Sequence, residues 1–180
     1  MLHKIKKHFE DYLSEFVYGG IDGAVTTFAV VAGATGANFP TTIILILGFS
    51  NLIADGFSMS VGSYLSSKSD IELMKKRGET IKNEPSPIIN GLSTYFAFLL
   101  VGFVPLAAYL TDYVFEIGSQ SIFAISIGLT ALAFISIGYL KSRITKSHLA
   151  RSVGETLILG AIAAGLAYLL GYILESVITR

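Results

Sequence analysis

Residues 19–37 read GGIDGAVTTFAVVAGATGA, and a single carboxylate, Asp22, interrupts a run of apolar, small and hydroxyl side chains. The run is close to the ~20 residues that cross a hydrocarbon core as a helix. Four further apolar blocks follow, so the spans predicted are 16–37, 41–67, 88–110, 118–140 and 153–175. Of the 180 residues, 52% are hydrophobic and 14% charged, whereas a soluble domain carries about 25% charged residues. A soluble helix that is apolar all round is rare, and five in succession would have no core large enough to bury them. Barrel strands are excluded because they alternate apolar and polar residues over about 10 positions. Without water in the membrane, each segment satisfies its own backbone as a helix. The predicted fold is an all-α membrane protein with five transmembrane helices.

The charges then set the orientation. Lys4, Lys6 and Lys7 precede the first span, Lys68, Lys75, Lys76, Arg77 and Lys82 separate the second from the third, and Lys141, Arg143, Lys146 and Arg151 separate the fourth from the fifth. A five-span path places all of the 13 basic residues except Arg180 on one side. The positive-inside rule predicts a cytosolic N-terminus and a C-terminus on the opposite side. The net charge of zero hides this asymmetry, and nothing in it points to a nucleic-acid partner. Anionic lipid headgroups are the expected partners of the basic segments. The absence of cysteine excludes disulfides and thiolate metal sites. The N-terminus does not resemble a cleavable signal, since Glu10, Asp11 and Glu15 mix with its lysines.

The chain reads as a single transmembrane domain over 1–180, with one short cytosolic segment at 68–87. Pro40 in ANFP at 37–40 predicts a tight hairpin between the first two spans. Helix from the second span is expected to run into 68–87 until Gly78, Pro85 and Pro87 stop it. Leu2, Ile5, Phe9, Leu13 and Phe16 form one apolar stripe. That stripe suits a helix lying on the membrane surface and equally a cytosolic extension of the first span. Gly19 and Gly23 form a GxxxG pair, and Gly160 with Ala164 a looser version. Such pairs serve contact between two copies or packing inside one. Five helices are few to enclose a path, which favours a homodimer with its path at the interface.

Two acids fall inside the spans, Asp22 and Asp55, and no Lys, Arg or His lies there with them. An ionised group at the bilayer centre costs about 2.5–3.5 kcal/mol on insertion scales. A salt bridge is largely removed as the explanation. Protonation, hydrogen bonding and a cation from outside remain. Asp11, Glu15, Asp22 and Thr26 share one face of the first helix, and Asn51, Asp55 and Met59 share one face of the second. Carboxylate and amide oxygens with one thioether suit Fe²⁺ or Mn²⁺ better than Ca²⁺ or Mg²⁺. The blander readings are Met59 in the core, Asp55 hydrogen-bonded to Ser58 or Asn51, and Asp22 bending or capping its helix. His3, His8 and His148 fall in cytosolic segments and read as solvated.

GGIDGAVTTFAVVAGATGA, SNLIADGFSMSVGSYLSSKSD at 50–70, FLLVGFVPLAAYL at 98–110 and GYLKSRITKSHLARSVGETLILGAIAAGLAYLLG at 138–171 occur in order. Together they resemble the vacuolar iron transporter family over nearly the whole chain. The resemblance implies a five-helix homodimer that moves Fe²⁺, and often Mn²⁺, out of the cytosol in exchange for protons. It implies that Asp22 and Met59 line the path at mid-membrane, and that Asp11 and Glu15 guide cations from the cytosol. Where well-studied members have a glutamate, eight residues before the methionine, this chain has Asn51, and Asp55 stands where they have a small residue. The glutamate-rich three-helix insertion that some members carry between spans two and three is replaced by the short 68–87 segment.

The expected function is therefore transport of a divalent transition metal by proton antiport, with Asp22, Met59, Asp55, Asn51, Glu15 and Asp11 as metal-facing residues. The metal is cargo, and no resident cofactor is expected. The alternative is a non-transporting scaffold or sensor holding a structural ion. No nucleophile–base pair lies in the spans, so an enzyme is not expected. The expected location is a multi-pass integral membrane protein, in the plasma membrane of a prokaryote or a vacuolar-type membrane of a eukaryote.

Overall fold

The computed structural model describes residues 2–79, 85–115 and 119–178, with the side chains of 2–11 and 119–120 outside that description. Five helices account for nearly all of it: α1 (Leu2–Gly36), α2 (Thr41–Lys76), α3 (Pro87–Phe115), α4 (Ser119–Thr145) and α5 (Leu149–Ile178). All five are long and apolar enough to cross a membrane, and the described residues contain no strand. The protein is an all-α, multi-pass membrane protein. The residues ahead of the first span continue it, since α1 is one helix from Leu2 onward. Several helices overshoot the predicted spans, α2 reaching Lys76 and α4 Thr145. Hydropathy marks where the bilayer ends. The backbone ladder continues until a local stop signal.

Two of those stops are built alike. At the end of α1, Asn38 adopts φ 55°, its N–H donates to Thr35 O, and Phe39 N–H donates to Ala34 O. At the end of α2, Gly78 adopts φ 70°, its N–H donates to Lys75 O, and Glu79 N–H donates to Met74 O. Both are Schellman caps, in which a left-handed residue turns two donors back onto the last carbonyls. Pro40 then serves as the N-cap of α2 and completes the tight hairpin.

Close packing puts α1 in the middle. It meets α2, α3, α4 and α5, and its glycines set how near they come. A Cβ on Gly19 would lie 2.5 Å from Thr94 O, and one on Gly23 would lie 2.5 Å from Phe98 O, so α3 rests against the α1 backbone. Further along, Gly36 faces Tyr168 O, and Gly171 of α5 faces Gly33 O. Gly20 is covered by Ile137 of α4 and Val101 of α3. The GxxxG pair of the first span is thus used inside the protomer, between α1 and α3. Gly160 likewise sits beneath the Phe134 ring of α4. Around this frame, Val31, Leu52, Phe98, Leu106 and Ile122 form one apolar core, and Val17, Ala24, Val101, Phe134 and Ile137 a second.

Several buried hydroxyls donate to backbone carbonyls. Ser126 Oγ donates to Pro105 O at 2.8 Å, joining α4 to α3 beside the proline, and Thr130 Oγ1 donates to Ser126 O at 2.7 Å. At the hairpin end, Thr35 Oγ1 and Tyr109 Oη lie 2.8 Å apart, and Thr41 Oγ1 donates to Asp112 Oδ2 at 2.9 Å.

Overpacking a tight core costs about 1–3 kcal/mol, so Gly23→Val is expected to lower the thermal unfolding midpoint by several degrees. Gly128 has nothing within 4 Å of its missing Cβ. Gly128→Ala should leave that midpoint unchanged or raise it, since alanine favours a helix by about 1 kcal/mol. Circular dichroism in detergent measures both.

Candidate functional site

The α1–α2 hairpin is antiparallel, so residues equally far from its turn lie level with each other. Near the basic end this is visible as a bond: Ser63 Oγ donates to Glu15 Oε2 at 3.0 Å. Thr94 Oγ1 of α3 donates to the same oxygen at 3.1 Å. Glu15 therefore ties three helices together through one carboxylate oxygen. Asn90 Nδ2 donates to Ser67 Oγ at 2.9 Å and holds α3 to α2 just outside this point.

A polar cavity of about 400 Å³ opens here, lined by Glu15, Met59, Asp70 and the hydroxyls of Ser63, Ser66 and Ser67. Its rim includes Tyr18, which is 62% exposed. The cavity thus brings together Glu15 and Met59 from the two predicted faces and adds Asp70. Asp70 belongs to the stripe through Asp55, Met59, Ser63 and Ser66, continued by one more step of four residues. That stripe was the available signal. Polarity assigned Asp70 to the 68–87 segment, whereas the helix carrying it does not stop until Lys76.

Seven residues beyond Glu15, about 10 Å along the helix, Asp22 faces the α2 side and comes within electrostatic reach of Asp55. Both are partly buried. Among the described residues neither carboxylate has a basic group at ion-pair distance or a side-chain hydrogen bond. The predicted alternative of Asp55 bonded to Ser58 or Asn51 is not what the geometry contains. Thr26 Oγ1 turns back to Asp22 O at 2.8 Å, so its hydroxyl serves the helix backbone.

One turn farther from the basic end, two more polar atoms stand without partners: Thr27 Oγ1 and Asn51 Nδ2, both buried. The hairpin pairing puts these residues level as well. An unsatisfied buried polar group costs about 1–3 kcal/mol. Asn51 stands one turn from Asp55 on the same face of α2, whereas Thr27 Oγ1 lies against α3, 3.0 Å from where a Cβ on Gly102 would be. Asp11 lies on α1 one turn before Glu15, and its side chain is outside the described residues. Among the described residues no group of three acidic, imidazole or thiol side chains converges on a point that would hold a metal ion. One protomer supplies its carboxylates in twos, Asp22 with Asp55 and Glu15 with Asp70.

These elements have counterparts among known proteins. The sequence model of the VIT family matches residues 13–84 and 74–172, two stretches that meet in the polar segment between α2 and α3. Vacuolar iron transporter 1 of Tulipa gesneriana is 27% identical, with 96% of this chain and 92% of the relative covered. Vacuolar iron transporter 1 of Arabidopsis thaliana is 26% identical over 96% of this chain and 91% of its own. Vacuolar iron transporter homolog 4 of the same plant is 31% identical over 87% and 81%. The tulip alignment runs over 230 positions, longer than the 180 residues here, so that relative carries residues this chain lacks. With its family match spanning all five helices, the chain belongs to the VIT family.

Proposed function

We propose that the protein carries a divalent transition metal, Fe²⁺ or Mn²⁺, out of the cytosol in exchange for protons, along a path where two copies meet beside α1 and α2. The observation that carries this reading is the Asp22–Asp55 pair, two carboxylates within electrostatic reach of each other inside membrane spans and, among the described residues, without a basic partner. Two like charges in a medium of low dielectric demand a cation or a proton between them. A metal and protons that compete for the same pair give antiport with no further machinery.

The remaining residues fit roles along that path. Glu15 and Asp70 form a negatively charged mouth at the basic end, with serine hydroxyls to replace part of the ion's hydration. Met59 supplies a thioether that favours a softer ion over Mg²⁺ or Ca²⁺. Asn51 offers an unpartnered amide donor beyond. Because among the described residues each protomer offers carboxylates only in pairs, a second copy on the α1–α2 side would complete a set of four around the ion. The outer face of α2, with exposed Ile46, Ile53, Phe57 and Leu65, gives that copy an apolar surface to rest on. The family's relatives named as vacuolar iron transporters support iron as the cargo. The basic end would face the cytosol under the positive-inside rule.

In proteoliposomes with an acidic lumen, Fe²⁺ or Mn²⁺ uptake is expected and should vanish with a protonophore. Asp22→Asn keeps the shape and removes the charge, and should slow uptake by at least about tenfold, a barrier change near 1.4 kcal/mol. Wild-type metal binding without flux would replace the transporter reading with that of a scaffold or sensor. Asp70→Asn should raise the half-saturating metal concentration several-fold while leaving the maximal rate close to wild type. An unchanged half-saturation would remove Asp70 from the mouth.

A further inference from the structure

At the basic end, α4 and α5 are pinned by one carboxylate. Glu155 Oε2 accepts from Lys141 Nζ at 2.7 Å, and Glu155 Oε1 accepts from Arg151 Nε at 3.0 Å. Two other cations of this end stay outside the network. Among the described residues neither Arg143 nor Lys146 has a carboxylate at ion-pair distance. The Arg143 guanidinium instead stands over the Tyr139 ring, 5.6 Å from its centroid. Lys146 occupies the turn into α5 with φ 52°.

Tyr139 is also a wall of a groove of about 930 Å³ that runs between the two helices. Leu149, Val153, Gly154 and Leu157 form its α5 side, and Ile135 and Leu140 its α4 side. Leu157 is shared with a deeper apolar cavity of about 370 Å³, which continues along Ala131, Phe134 and Ala161. No acidic or basic side chain lines either space. Gly154 keeps the groove open, since nothing lies within 4 Å of where its Cβ would be. From Leu149 to Ala161 the groove follows α5 for about 18 Å at 1.5 Å per residue. That is a little more than half of a ~30 Å hydrocarbon core, the depth of one leaflet.

We propose that this groove is a binding site for an anionic glycerophospholipid, its phosphate held by Arg143 and Lys146 and one acyl chain laid from Tyr139 to Leu157. Charge complementarity selects this occupant. The groove is apolar along its length, Arg143 stands over its Tyr139 wall, and Lys146 occupies the turn three residues before Leu149. Among the described residues neither cation has an acid at ion-pair distance. A guanidinium presents parallel donors that match a phosphate. The chain tip would end in the deeper cavity beside Ala131 and Ala161. A second protomer is a poorer fit, because a two-fold contact here would set Arg143 and Lys146 against their own copies.

Native mass spectrometry of the full chain in detergent tests this, with phosphatidylglycerol or phosphatidylcholine added. The wild type should retain one phosphatidylglycerol per chain, with about tenfold preference over phosphatidylcholine. The double variant R143Q/K146Q, at two exposed positions, should lose the preference. Gly154→Leu fills the groove and should lower retention of both lipids, with circular dichroism confirming the fold. Equal retention of the two lipids by the wild type would mean bulk solvation only and would overturn the site. So would a preference that survives R143Q/K146Q. The chain has no native cysteine, so Gly154→Cys reports a covering protomer cleanly. Efficient disulfide-linked dimers in the membrane would assign the groove to a second copy instead.

Discussion

The closeness of α1 to its neighbours is the constraint on which the rest of the molecule depends. At Gly19 and Gly23 the α3 backbone lies where a side chain would otherwise stand, at Gly36 the α5 backbone does the same, and Gly171 of α5 rests likewise against the Gly33 carbonyl. In a membrane no hydrophobic gain draws helices together, so contact of this kind is what association rests on. Because α1 is packed tightly against α3 and α5, its Asp22 side is left to meet α2. The glycines and the carboxylate on one helix are therefore parts of a single arrangement. The first hold the helix in place, and the second faces the neighbour that remains.

The Glu15 carboxylate does for the basic end what the glycines do along the length. One of its oxygens accepts from a hydroxyl on α2 and a hydroxyl on α3, which fixes the mouth of the polar cavity at the point where three helices meet. The pair farther in has no such support. Asp22 and Asp55 are within electrostatic reach of each other without side-chain donors, and the buried Asn51 amide one turn from Asp55 is also unsatisfied. In a packed interior nearly every buried polar atom has a partner. Among the described residues the exceptions are Thr27 Oγ1 against α3, Asn51 Nδ2 one turn from Asp55, and Asn90 Oδ1 on α3, and the Asn51 amide is the one that shares a helix face with an unpaired carboxylate.

Much of the fold was legible in the sequence because the membrane narrows the options. Continuous apolar runs of bilayer length admit only helices, and Pro40 and Gly78 are strong local stops that took the roles their chemistry assigns. The faces bearing Glu15, Asp22, Asp55 and Met59 were read from helical spacing and the tight hairpin from Pro40, while which residues lie level across it came with the structure. What was not legible was whose backbone a glycine pair admits. GxxxG states that something comes close, and it is silent on whether α3 or a second chain does so. Asp70 was missed for a different reason. It lies past the edge of the apolar run, in the helical extension the sequence predicted as far as Gly78, and its polar setting there hid that it continues the face of Met59.

The contrast between α1 and α5 has a consequence for how the chain can vary. Along α1, at Gly19, Gly23 and Gly36 the distance to another backbone is so short that only hydrogen fits in place of a side chain. Over most of its surface α5 has the opposite condition, since Ile158, Leu159, Ile162, Leu166 and Leu169 are exposed to the bilayer and answer only to hydropathy. Sequence drift is thereby channelled to the lipid-facing surface, where any apolar side chain will serve. The innermost helix is held to a small alphabet, in which losing a glycine shifts a whole helix rather than a single contact.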